Sequence, residues 1–446
     1  MTLLDPVDFT ISQLGACRIK SPVDASEFIS DDERVLYNVF LRGVRSYQER
    51  GVEPPGFEMA GPRESIYFDP SKVKAAIITC GGLCPGINDV IRALVMCLHY
   101  RYGVRNILGI RYGFQGLIPA YRHDVLELSP SLVASIHEHG GSFLSSSRGE
   151  QDIGAMVDAL ERMNVNILFC IGGDGTLRGA HAIHAEITAR ALKIAVVGLP
   201  KTIDNDMCYI EKTFGYETAF TVGIGAIRSA HLEAQGAPNG IGLVKLMGRH
   251  SGYLAASAAL ALNDANFVLI PEVRFDLEGA NGLFEALRAR LVRRRHAVIL
   301  VAEGAGQEFF HSEERLDASG NVRLNDIGVL LKQEINGYFR KIGMEVNLKY
   351  IDPSYIVRST PANASDSIYC TLLAFNAVHA AMAGKTDMVV GKWNNVFTHV
   401  PISAVVIRRN AISPEGTLWQ NVLEVTGQPP FMIDDGAPSS SASQAP

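Results

Sequence analysis

Ile171-Gly172-Gly173-Asp174-Gly175-Thr176 is followed shortly by Pro200-Lys201-Thr202-Ile203-Asp204-Asn205-Asp206. Each begins where an apolar, strand-like run ends, Asn166-Ile167-Leu168-Phe169-Cys170 for the first and Ile194-Ala195-Val196-Val197-Gly198 for the second. Glycines at a strand end let backbone N–H groups approach a phosphate closely, where any side chain would intrude. Carboxylates beside such a loop repel bare phosphate, so they make sense with a divalent cation or as proton acceptors. A phosphate cradle with Asp174, Asp204 and Asp206 points to phosphoryl transfer.

Outward from these loops the pattern is β-loop-α. Ala75-Ala76-Ile77-Ile78-Thr79-Cys80 reads as a buried strand, Gly81-Gly82-Leu83-Cys84-Pro85-Gly86 as its turn, and residues 88–100 as an amphipathic helix. A second unit runs through 107–110, and a helix over 178–191 follows the GGDGT loop. A later series places strands at 241–246, 267–270, 297–301 and 346–351, helices at 252–262, 327–339 and 368–383, and a closing strand at 388–390. Glycine-bounded strands alternating with helices mark an α/β fold of two doubly wound lobes with mostly parallel sheets, and an active-site cleft between them is the expectation.

Residues 1–69 read as an N-terminal extension lying on its own subunit or a neighbour, with a helix predicted over 31–41 after the capping-like Ser30-Asp31-Asp32-Glu33. A polar insertion spans 308–323, residues 408–435 read as a C-terminal helical segment, and 436–446, nearly all Ser, Ala, Gly and Pro, as a disordered tail.

A chain of 446 residues is too long for one ordinary core, and 47% hydrophobic with 20% charged residues fits a soluble globular protein. The net charge of −6 argues against nucleic acid held by a general positive field. The basic run Arg293-Arg294-Arg295-His296 is read as a favourably charged helix C-terminus. Seven scattered cysteines, most in apolar runs, fit reduced thiols in a cytosolic protein, and Cys80 and Cys84 have no second pair to complete a zinc site. His137 and His139 flank Glu138 without a third ligand and read as a polar helix end. No apolar run approaches the ~20 residues that cross a bilayer.

Gly81-Gly82-x-x-Pro85-Gly86 is equally a phosphate loop or a tight βα turn. GGDGT places an acid amid glycines where structure needs none, and PKTIDND would make a poor core and an unusually acidic turn. Met247-Gly248-Arg249 alone is a strand exit, Glu303 alone a helix cap, and Lys349, Tyr355 and Arg358 alone a basic loop edge. Together they supply the cations and donors that an anionic, polyhydroxylated substrate needs.

At these residues the sequence resembles the phosphofructokinase family. GGLCPGIN, SSSRG, GGDGT, PKTIDND, MGRHSG, VAEG and YIDPSYIVR occur in the family's order across roughly residues 60–425. The extension and the last motifs are similar to the longer-chain branch of trypanosome and plant ATP-dependent enzymes. The resemblance implies a discontinuous nucleotide-binding lobe of 70–215 with 357–407 and a sugar-phosphate lobe of 216–356. Gly82, Arg148, Gly149 and Gly173, Asp174, Gly175 and Thr176 would line the nucleotide phosphates, with Asp174 on Mg²⁺. Asp204 would take the proton of the sugar's 1-hydroxyl, with Thr202, Ile203 and Asp206 beside it and Lys201 on the transferring phosphoryl group. Met247, Gly248, Arg249, Glu303 and Tyr355, Ile356, Val357 and Arg358 would hold fructose 6-phosphate, Arg249 acting also in catalysis, and Lys349 would add charge to its 6-phosphate. A homotetramer is implied as well.

The family divides by phosphoryl donor. Its pyrophosphate users carry an aspartate where this chain has Gly175 and a lysine at the place of Lys201, and its short bacterial ATP enzymes have glycine at both. This chain pairs Gly175 with Lys201, as the trypanosome-like ATP enzymes do, so ATP is the expected donor and pyrophosphate the alternative. An NAD or lipid kinase would share GGDGT without needing MGR, and a metabolite sensor would not need Asp174, Asp204 and Asp206 together. The cytoplasm is the expected compartment, since Ser443-Gln444-Ala445-Pro446 is not the usual peroxisomal address.

Overall fold

The computed structural model describes residues 8–310 and 323–434. These form two compact units, one of 8–218 with 358–409 and one of 219–310, 323–357 and 410–434. The polar insertion, apart from its ends, and the C-terminal tail lie outside the described residues.

In the first unit, five strands form a parallel centre in the order Met388–Trp393, Ala195–Pro200, Ile167–Gly172, Lys74–Thr79, Asn106–Ile110. Ile167–Gly172 and Ala195–Pro200 are buried at every residue, which is why they read as unbroken apolar runs rather than alternating ones. Helices cover the sheet; Ile87–Tyr102 and Ala364–Met382 pack on each other, their inward faces rich in Ala, Val and Leu. Side chains such as Phe169, Ile77 and Ile78 are fully enclosed, each contributing roughly 1.5–3 kcal/mol of hydrophobic stabilisation. From Lys74–Thr79 the chain goes to one side to form Asn106–Ile110, then returns to the other side to form Ile167–Gly172. This reversal is where doubly wound sheets bind ligands, beyond the carboxyl ends of the strands.

Antiparallel strands extend both edges. Val125–Glu127 pairs with Asn106–Ile110, and Val396–Pro401, Gly56–Met59 and Arg34–Leu36 follow Met388–Trp393. Two expectations are corrected here. The helix expected over 31–41 is instead the edge strand Arg34–Leu36, and the helix comes later, at Leu41–Glu49. The Ser30 carbonyl accepts from Glu33 N–H in a turn, and Glu33 O accepts from Met59 N–H, which draws the segment into the sheet. The strand at Met388–Trp393 is not the last. Asn394 and Asn395, at φ 47° and 66°, make the tight turn that returns the chain as Val396–Pro401.

The second unit holds a four-stranded, wholly parallel sheet ordered Phe267–Leu269, His296–Ala302, Gly240–Leu246, Asn347–Ile351. Leu283–Arg294 and Ile327–Lys341 bury Leu, Ile and Phe side chains against it. Arg293 and Arg294 close the first of these helices and Arg295 caps it in the left-handed conformation, as the charge pattern implied. Residues 410–434 belong to this unit: Thr417–Thr426 packs on Tyr253–Leu262, and Asp276 N–H donates to Met432 O at 2.7 Å. Six of the seven cysteines are buried and all are free thiols. Among the described residues no helix is long and apolar enough to cross a membrane.

Candidate active site

Three loops of the first unit follow successive strands of its sheet. After Lys74–Thr79 the chain turns through Gly81 at φ +85° and Gly82. Gly81 N–H donates to Ser147 O at 3.0 Å and Ser146 Oγ donates to Gly81 O at 2.7 Å, so the turn is tied to the SSSRG segment. Lys201, only 5% exposed, donates from Nζ to Gly82 O at 2.6 Å. A Cβ on Gly82 would lie 3.3 Å from Arg148 Nη2 and 3.9 Å from Arg358 Nη1. Three cations therefore converge on one glycine turn. Burial lowers the Lys201 pKa, and Arg148 and Arg358 push it the same way. Such a site favours a multiply charged anion.

Arg358 thus stands with Arg148 and Lys201 at the Gly81-Gly82 turn. Gly149, at φ +93°, lets the SSSRG segment turn away after Arg148.

Ile167–Gly172 ends in the second loop. Asp174 opens the helix Asp174–Ala189, where the N-terminal dipole favours its charge. A Cβ on Gly172 would strike Thr176 Oγ1 at 2.2 Å, so the buried Thr176 fits only against glycine. Beside Gly175 nothing lies within 4 Å of where a Cβ would stand. An aspartate there would meet no packing obstacle and would act by its charge and by the space it fills.

Ala195–Pro200 leads into the acidic turn. Asp204 N–H donates to Thr202 Oγ1 at 3.0 Å, and the same hydroxyl stands 3.4 Å from Asp206 Oδ1. Asn205 sits at φ 52° and its side-chain oxygen accepts from Thr213 N–H, while Thr213 Oγ1 donates to Thr202 O at 2.7 Å. The turn is held by its own side chains, with Ile203 buried beneath it. Asp206 is 8% exposed, and burial raises its pKa, as does Asp174, against the pull of Arg409.

Asp174 Oδ2 and Asp206 Oδ2 face the same guanidinium, that of Arg409, at 3.6 and 3.5 Å. Two hard oxygen donors converging on one point suit Mg²⁺, which is usually held by one or two carboxylates together with substrate phosphates. No group of three metal-ligating side chains occurs among the described residues. Sequence reasoning missed Arg409, which no motif surrounds, and Arg178, which lies 3.2 Å from Asp174 Oδ2 and whose i,i+4 spacing from Asp174 just after GGDGT was the available signal.

In the second unit, Met247, Gly248 and Arg249 leave Gly240–Leu246 beside the exit of His296–Ala302. Glu303 N–H donates to Leu246 O at 2.9 Å and Gly304 N–H to Gly248 O at 3.1 Å. Gly248 has φ +127°, and a Cβ on Gly304 would stand 2.0 Å from Arg249 O. Tyr355 and Ile356 are exposed on the helix Ser354–Ser359, while Val357 is buried. Lys349 is not brought to these loops. It pairs with Gly242, four strand residues or roughly 13 Å below the level of Leu246.

The phosphofructokinase family profile matches residues 74–381. The ATP-dependent 6-phosphofructokinase of Borreliella burgdorferi is 50% identical over 437 residues, covering 95% of this chain and 97% of that one. The chain belongs to the phosphofructokinase family. The ATP-dependent 6-phosphofructokinase of Trypanoplasma borreli is 43% identical, over 95% of this phosphofructokinase and 88% of its relative. The crystal structure of a pyrophosphate-dependent phosphofructokinase from Marinobacter aquaeolei shares the fold with a TM-score of 0.63 at 18% identity, covering 82% and 95% of the two chains.

Proposed function

We propose that this phosphofructokinase transfers the γ-phosphoryl group of ATP to the 1-hydroxyl of fructose 6-phosphate. The observation that carries the reading is the convergence of Lys201, Arg148 and Arg358 on the Gly81-Gly82 turn, with Asp174 beyond the next strand and Asp206 beyond the one after it. Phosphoryl transfer is mainly positioning and charge stabilisation, and buried, preorganised cations act on it far more strongly than cations in water.

Gly82, Arg148, Gly149 and Gly173 to Thr176 cradle the nucleotide phosphates by backbone amides and charge. Lys201 meets the transferring group. It is already desolvated, so no water shell has to be stripped from it in the transition state. Asp204 accepts the 1-hydroxyl proton and aligns that oxygen for in-line attack. Thr202, bonded to the Asp204 amide, fixes the turn that presents it. Met247, Gly248, Arg249, Glu303 and the Tyr355–Arg358 segment hold the sugar phosphate. Lys349, below that level, has no contact role in this reading. Asp174 and Asp206 would hold Mg²⁺, which when bound offsets phosphate charge.

ATP is favoured over pyrophosphate by the open space at Gly175 and by relatives at 43–50% identity that are named for ATP. The same reading takes the protein to be a cytoplasmic homo-oligomer, a tetramer by family resemblance. Purified protein assayed with fructose 6-phosphate and either donor tests it. Turnover with ATP and little with pyrophosphate is expected, and the reverse preference would overturn the donor assignment.

A further inference from the structure

The metal-side carboxylates share a cation that no sequence motif announces. Arg409 reaches Asp174 Oδ2 with Nη2 at 3.6 Å and Asp206 Oδ2 with Nη1 at 3.5 Å. Arg178 Nε adds a second positive group 3.2 Å from the same Asp174 oxygen. Two carboxylates therefore face two guanidinium groups, so the chain's own cations balance the charge of the acid pair.

This placement is built rather than incidental. Met207 and Arg409 form an antiparallel backbone bridge, which ties Arg409 to the residue after Asp206. Arg178 Nη2 donates to Val406 O at 2.7 Å, fastening the same segment to the helix that Asp174 opens. The planar fork of a guanidinium can serve two carboxylates at once, which a lysine's point charge does less well. The Arg409 side chain is 35% exposed, so it has solvent on one side into which it can swing.

We propose that Arg409 is a stand-in cation for the nucleotide-free protein, an inference that rests on reading Asp174 as the metal anchor. It holds Asp174 and Asp206 together and competes with a bare divalent ion for them. A polyphosphate changes the balance, because its oxygens offer the arginines better partners and the metal additional ligands. Metal then binds well only together with a polyphosphate. Arg409 is in this sense a positioning residue.

The probe is Mn²⁺ alone, its free concentration followed by electron paramagnetic resonance, titrated into the full-length protein without nucleotide. Arg409→Gln is expected to bind Mn²⁺ on the order of tenfold more tightly than the unmutated chain, since a competing positive charge has gone. Arg409→Lys is expected to gain about two- to threefold, because it keeps the charge but loses the two-way reach. Adding Asp174→Asn to Arg409→Gln should abolish the gain. Unchanged affinity in the Arg409 variants overturns the proposal, and so does a gain that survives Asp174→Asn, which would place the metal elsewhere. If Arg409→Gln does not fold, Arg409→Lys carries the comparison. Titrating Mn²⁺ with ADP into Asp174→Asn tests the underlying reading separately: undiminished binding there removes Asp174 as anchor, whatever Arg409 does.

Discussion

Lys201 Nζ donates to the carbonyl oxygen of Gly82 at 2.6 Å, joining the end of Ala195–Pro200 to the glycine turn after Lys74–Thr79, two strands away in the sheet. This lysine is buried, its pKa is lowered by that burial, and two arginines stand beside the same glycine. Such an arrangement is poor for stability and good for holding a transferring phosphoryl group. Desolvated charge is retained where chemistry needs it.

Lys201→Met should therefore separate function from stability. The expected loss in kcat is on the order of 10²–10³, while the unfolding free energy stays within about 1 kcal/mol of the parent or rises. Steady-state kinetics beside thermal denaturation checks both. A variant that loses activity only in proportion to its folded fraction would make Lys201 a structural residue.

The second unit offers a test of the sugar-phosphate side. A Cβ at Gly304 would stand 2.0 Å from Arg249 O, a backbone atom that cannot step aside alone. Gly304→Ala should push the Met247–Arg249 loop out of place and raise KM for fructose 6-phosphate by about tenfold, leaving KM for ATP little changed. Equal effects on both would mean that the loop does not discriminate the two substrates.

A buried ionic cluster around Glu58 in the first unit bears on acid stability. Glu58 lies among Arg63 at 3.0 Å, Lys385 at 3.1 Å and His399 at 2.8 Å. Burial opposes its ionisation, but the His399 hydrogen bond and the charges of Lys385 and Arg63 outweigh it and hold the pKa at about 2. Burial lowers the His399 pKa against the pull of Glu58, whose carboxylate stands 2.8 Å from Nδ1. A carboxyl with a depressed folded pKa stabilises above its unfolded value, near 4.5, and that contribution fades as pH falls toward 2. Glu58→Gln should cost about 3 kcal/mol at neutral pH by leaving buried cations unpaired, and should flatten the acid limb of a stability profile between pH 5 and about 2. Denaturant unfolding at a series of pH values reads both effects. An unchanged acid limb would remove Glu58 as its source.

The glycine loops, the acidic turn and the parallel centre of the first sheet were legible because buried parallel strands write themselves as continuous apolar runs ending in glycine. Arg409 was not, since it lies 203 residues from Asp206 and only the fold brings them together. The edge strand Arg34–Leu36 was misread because Ser30 to Glu33 carries helix-start chemistry that serves equally well in a turn. Its hydrogen bond to Met59 is a tertiary choice that local sequence does not record. The hairpin after Met388–Trp393 did carry a signal, the Asn394-Asn395 pair, whose side chains tolerate positive φ. Lys349 has the right charge for an anionic substrate, and only strand register reveals that it sits below the loops.

The proposed reaction turns on Asp204 taking the proton from the sugar hydroxyl. Steady-state kinetics of Asp204→Ser with ATP and fructose 6-phosphate tests it most directly. The expected kcat is lower by about 10²–10⁴, with KM for the sugar phosphate little changed. A near-normal kcat would contradict it.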